Sequence, residues 1–166
     1  MFETGERVIY GIHGVCTVTG TDYQQSGGKQ TEYLVLEPLN RSGSRFLIPT
    51  HNAVAMTRLQ RLLSKSELEQ LLRSPAVHAP CWISDEGQRK KTYRELINSS
   101  DRTRLMAMVH SLYVHKSQQS ASGRKVHLCD ENFLHDAEKL LASEITAVMD
   151  MGSEEARNYL RMHLQK

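Results

Sequence analysis

Near residue 60 the spacing of apolar side chains changes, and no one kind of secondary structure can satisfy both patterns. Upstream, "ERVIYGI", "GVCTVTGTD", "TEYLVLEP" and "SRFLIP" are short runs rich in Val, Ile, Leu, Tyr and Thr with one alternating face. Turn signals separate them: Gly11 and Gly14, then "QQSGGKQ", then "LNRSGS". Successive side chains of a strand point to opposite faces. The runs therefore predict four or five short strands in a small antiparallel barrel or strongly bent sheet. Gly27-Gly28 reads as the hairpin turn between two of them. Such a module is too small for a large core, and its edge strands stay available for pairing with another chain.

From about residue 64 the apolar residues recur at helical spacing. In "SKSELEQLLRS", Ser64 and Glu67 have capping-box spacing, followed by Leu68, Leu71 and Leu72 on one face. "SSDRTRLMAMVHSLYVHK" starts at a good cap, Asp101, and sets Leu105, Met108, Val109 and Leu112 on one stripe. "DENFLHDAEKLLASEITAVMDM" opens with acids, which suit a helix N-terminus. It repeats Leu134, Ala137, Leu141, Ile145 and Val148; Gly152 is expected to end it and Ser153 to cap a last helix. The fold class is α+β in two domains: a β module over residues 1–57 and an all-α domain over 58–166.

Composition matters mainly through its distribution. The net charge is +2, but residues 58–128 hold 13 basic and 6 acidic side chains, whereas 129–166 hold 4 basic and 8 acidic. A basic middle suggests a polyanion such as nucleic acid, and a solvated helix face would give the same count. Cys16, Cys81 and Cys129 are far apart and odd in number, which argues against a disulfide framework. No apolar run reaches membrane-spanning length, and no basic leader precedes an apolar stretch, so a cytoplasmic protein is expected.

Chemistry of the chain's own finds little support. The eight histidines include no His-x-x-x-His pair beside an acid, and there is no Cys-x-x-Cys, so neither metal nor cofactor is expected. His13 lies three residues before Cys16, an odd separation that puts the two on opposite faces of a strand. A thiol nucleophile with a neighbouring base is therefore disfavoured against a small core cysteine.

The lone Trp82 follows Pro80 in an irregular stretch, "APCWISDEGQRKK", just before Arg89, Lys90 and Lys91. One reading makes it a core anchor. The other makes it a wedge held out from a basic helical domain, as in proteins that unstack or brace DNA from the minor groove.

The pattern Phe2, Gly5, Val8, Tyr10, His13, Gly14 and Val18, then Tyr33, Leu34, Val35, Leu36 and Pro49, resembles the N-terminal module of the CarD/CdnL family of bacterial transcription regulators. The same module occurs in the transcription-repair coupling factor. A Trp after a Pro, then "SSDRTRLMAMVHSLY" and "HLCDENFLHDAEKLLASEI", resembles the family's helical half in order and spacing.

The resemblance implies a Tudor-like β module that docks on the β subunit of RNA polymerase, with Gln24, Gln25, Arg45 and Leu47 as contacts. It also implies a helical domain that props open the edge of the promoter bubble without reading sequence. There Trp82 would be the wedge, and Arg89, Lys90, Lys91, Arg124 and Lys125 would hold the phosphates. Neither a membrane nor a small-molecule substrate is implied, and nucleoid association would come through polymerase. Three departures stand out, the first being that the polymerase-facing strands carry Gln24, Gln25 and Arg45 where relatives place more basic residues. "ISDEG" follows the Trp where relatives have an Arg, bringing Asp85 and Glu86 near the expected phosphates. The family's helix-cap Ser and its Glu are here Cys129 and Asn132, which assigns that helix start to Asp130. The acids keep a second reading open, a polymerase-binding adaptor whose helical domain contacts another protein.

Overall fold

The structure is a computed structural model describing residues 1–166. The chain divides into two compact units, Met1–Leu62 and Leu63–Lys166.

The first unit contains β1 (Arg7–Tyr10), β2 (Val15–Ser26), β3 (Lys29–Pro38), β4 (Phe46–Pro49), a short helix α1 (Ala53–Met56) and β5 (Leu59–Arg61). All pairings are antiparallel, in the order β4-β3-β2-β1-β5. The sheet is thus open, with β4 and β5 as its edges. Ser26 pairs with Lys29 across Gly27 (φ 60) and Gly28 (φ 79), the doubly positive backbone of a two-residue hairpin turn that glycine adopts without strain. Farther back, Val18 opposes Leu36 while Gly20 opposes Val35, so Thr19 is an extra residue in β2. Such a bulge bends and twists its strand, which lets one face wrap a core of Val8, Cys16, Val18, Leu34, Leu36, Ile48 and Leu59.

β5 lies beyond the boundary expected at 57/58. Leu59 pairs opposite Tyr10 and is buried, so the module continues to Leu62. Burial of a leucine contributes about 1.5–3 kcal/mol, enough to hold so short a strand once β1 is in place.

The second unit holds α2 (Lys65–Arg73), α3 (Glu86–Ser99), α4 (Arg102–Ala121), α5 (Leu128–Met149) and α6 (Ser153–Leu164). The capping box of Ser64 and Glu67 forms, and the Asp101 carboxylate accepts from the Arg104 amide at 3.0 Å. Two boundaries differ from the sequence reading. α5 starts after His127, which supplies no side-chain cap, and it ends at Asp150 in the left-handed region (φ 54). Gly152 is then the first cap of α6 rather than the stop of α5.

α5 organises this unit electrostatically as well as by apolar packing. Three of its carboxylates are buried: Asp130 (0% exposed), Glu138 (5%) and Glu144 (2%). Asp130 pairs with Arg89 of α3, Glu144 with Arg102 of α4, and Glu138 with Arg161 of α6. Glu138 also accepts from the Tyr113 hydroxyl, and Glu144 from the Leu63 amide at 3.1 Å. The acidic stretch 129–166 is therefore partly turned inward against arginines of the same domain.

Candidate functional site

Trp82 sits between α2 and α3, half-buried and packed against the helical core. The His115 imidazole of α4 stacks on its ring at 3.8 Å with 15° between the planes. The Arg89 guanidinium lies over the ring at 4.5 Å. The two sequence readings of this residue are thus not exclusive: the indole is anchored on one part of its surface and exposed on another.

Arg89 is corrected from its expected place on the DNA-facing surface. It is only 3% exposed. Its Nε and Nη2 donate to the two oxygens of Asp130, both at 2.9 Å, and Nη1 donates to the carbonyls of Ile83 (3.0 Å) and Ser84 (3.4 Å). Helical geometry explains this. Arg89, Tyr93 and Leu96 form the buried stripe of α3, whereas the next residues of the basic run rotate outward by about 100° each. The fork that would have gripped a phosphate instead joins the segment after Trp82 to α5. Asp130 is the group that answers it, and so does not cap α5.

The remaining cations stay on the surface. Lys90 pairs with Glu86 at 2.6 Å, one helical turn away, with both partly exposed. Lys91, Arg124 and Lys125 are exposed and form no ion pair, the last two in the segment between α4 and α5. Asp85 and Glu86, the acids that follow the Trp, are engaged locally. Asp85 caps α3 by accepting from the Gln88 amide at 2.7 Å. Glu86 is held below the usual carboxylate range by its bond to Lys90.

The Trp82 segment is also fastened to α4. The Cys81 amide donates to the Ser111 hydroxyl at 3.2 Å, and its thiol lies 3.2 Å from the Ala107 carbonyl and 3.0 Å from the Ser111 hydroxyl. A mainly apolar cavity of ≈ 300 Å³ opens beside the indole, lined among others by Cys81, His110, Val114 and His115. Burial, opposed by the Asp130 charge and reinforced by the Arg89 charge, lowers the His115 pKa.

In the β module, Leu47 stands opposite Val35, which stands opposite Gly20; Gln24 pairs with Thr31, four residues back along β3. Strand alternation puts Leu47 and Gln24 on the outer face and Gln25 on the opposite one. Arg45 donates to Glu37 at 3.0 Å beside Leu47, which is 38% exposed. Arg45, Glu37 and Leu47 border a shallow groove of ≈ 550 Å³ that Gly20 and Val35 also line. Gln24 and Gln25 lie on the exposed hairpin arm, about 13 Å along the strand from Leu47.

Cys16 is fully buried and desolvation pushes its thiol up to about 11, while His13 stacks on Tyr10 at 5.2 Å and lies tilted against Phe46 at 4.2 Å. No group of three or more His, Cys, Asp or Glu side chains converges as a metal site would require.

Sequence reasoning passed over His115 and gave Asp130 only the role of holding a helix start. Each is meaningful only through a partner far away in the chain, and no local spacing marks either one. Compared with known protein families, residues 2–61 match the CarD-like/TRCF RID domain and residues 67–161 match the CarD C-terminal domain.

Proposed function

Because the chain belongs to the CarD-like family of RNA polymerase-interacting transcription regulators, we propose that its β module docks on the polymerase β subunit while its helical domain steadies promoter DNA in the open complex. Docking would use β4. This edge strand leaves one row of backbone groups unpaired, and strand addition gives affinity through the main chain. Leu47, Arg45 and Gln24 on the outer face would supply side-chain contacts, with Gln25 at the hairpin arm.

On the helical domain, Lys90, Lys91, Arg124 and Lys125 would neutralise phosphates. Such contacts position a protein without reading sequence. Trp82 would press on the minor groove at an unstacked step, where an apolar wedge acts on deformability rather than base identity. Arg89 is left out of this set, since its donors are committed internally.

The observation that carries the reading is Trp82 itself. The domain holds it against a stacked imidazole and an ion-paired guanidinium, yet leaves it partly exposed. The adaptor reading rested on Asp85 and Glu86, and both acids are engaged within α3. Footprinting of promoter DNA with polymerase, with and without the protein, tests the proposal. Extended protection at the upstream bubble edge that disappears with Trp82→Ala is the expected result. Polymerase binding with no change in the footprint would assign the helical domain to a protein partner instead.

A further inference from the structure

We infer that Arg89 is a positioning residue for Trp82: fixed by Asp130, and acting together with His115, it locks the indole into the one orientation that DNA contact requires. The inference rests on the reading that Trp82 contacts DNA, and it concerns how the contact is prepared.

Trp82 lies in an irregular segment, where a large aromatic on two rotatable bonds would ordinarily sample several staggered conformations. Here three elements restrain it. α3 supplies Arg89, whose guanidinium covers the ring and whose Nη1 holds the carbonyls of Ile83 and Ser84. α5 supplies Asp130, which takes both remaining sides of the guanidinium fork and fixes its plane. α4 supplies His115, stacked on the indole, and Ser111, which anchors the preceding residue.

A planar, five-donor group is required for this. Arginine can stack on an aromatic ring, chelate a carboxylate and bond two carbonyls at once, and lysine cannot. The arrangement also explains why a buried ion pair sits beside an otherwise apolar tyrosine and leucine stripe. Well-packed hydrophobic side chains would serve stability as well, but they would not orient the ring through the backbone that carries it.

An indole freed among its three staggered wells would present the competent one about a third of the time. A binding-competent fraction reduced to a third weakens the contact roughly threefold. Removing one member of a buried ion pair endangers folding, so the test uses two variants that leave no unpaired buried charge. Arg89→Leu/Asp130→Leu removes the pair together. His115→Ala removes the stacked ring and keeps every buried ion pair.

Since Trp82 is the only tryptophan, its acrylamide quenching and emission anisotropy report this site alone. With helical circular dichroism retained, both variants should show stronger quenching and lower anisotropy than the native protein. The open-complex lifetime with polymerase should shorten roughly threefold, and polymerase binding should not change. Native quenching and anisotropy in the folded double variant would overturn the inference, as would a mobile indole with an unchanged lifetime. Trp82→Ala measured alongside separates the causes. If it shortens the lifetime and the double variant does not, only the positioning role fails. If it too has no effect, the DNA-contact reading fails first.

Discussion

The two halves of this molecule are held together by different means. The β module closes over an apolar core with backbone ladders, and in the ion pairs Arg45–Glu37 and Arg61–Glu6 the arginines lie out toward solvent. The helical domain instead threads three ion pairs with buried carboxylates through its packing, all meeting on α5. The contrast teaches that a count of charges along a sequence is not a count of charges on a surface. Within the basic middle of the chain, Arg89 and Arg102 face inward to acids of α5, leaving side chains such as Lys91 and Lys125 on the surface.

The sharpest way to break this comparison is to remove a buried carboxylate. Asp130→Ala leaves the Arg89 guanidinium buried without its carboxylate. Leaving a buried charge unpaired costs about 3–5 kcal/mol, so urea unfolding of the helical domain should shift by that amount. A shift under about 1 kcal/mol, the range of exposed pairs, would mean that the pair is no more than a surface contact.

The next effect concerns the cations left outside. Lys91→Ala/Lys125→Ala should weaken DNA binding by about tenfold for each lost phosphate contact at 0.1 M salt, and flatten the dependence on log salt by about 0.9 per contact. The loss should be the same on unrelated DNA sequences. A loss confined to one sequence would point to base readout and contradict the proposed division between phosphate contacts and wedge.

On the β side the sensitive points are backbone positions. Gly28 has φ +79, and forcing a side chain into left-handed backbone costs roughly 1–2 kcal/mol. Gly28→Val should therefore lower the stability of the β module by that amount in thermal melts and leave the helical domain unaffected. The smallest effect belongs to the exposed pair: Glu37→Gln should change stability by less than about 1 kcal/mol, measured in the same melts. A larger loss there would erase the distinction between the two halves.

What could be read from the sequence follows the same division. Signals that act within a few residues were legible: the Gly27-Gly28 hairpin, the Ser64–Glu67 capping box and the Asp101 cap. β5 was not legible, because a three-residue strand exists only through its pairing with β1. α3 was hidden because its buried stripe opens with an arginine, and "RKK" read as a single basic run conceals the rotation that sends Arg89 inward. Asp130 looked like a helix cap for want of any hint that its partner lies on another helix. Trp82 could be singled out as the residue to watch, but its stacking on His115 needed the three-dimensional arrangement.

The central claim is that Trp82 is held rigid in order to brace DNA, and the most direct measurement is the lifetime of the polymerase–promoter open complex with Trp82→Ala. Being half-buried, the residue should cost the domain some stability, about 2 kcal/mol, less than the removal of a fully buried tryptophan. Lifetimes should therefore be compared at a temperature where both proteins are folded and bound to polymerase. Losing a wedge at an unstacked step forfeits up to a few kcal/mol, so the account predicts decay of the complex faster by on the order of tenfold. A folded, polymerase-bound Trp82→Ala protein that sustains the open complex as long as the native one would contradict it.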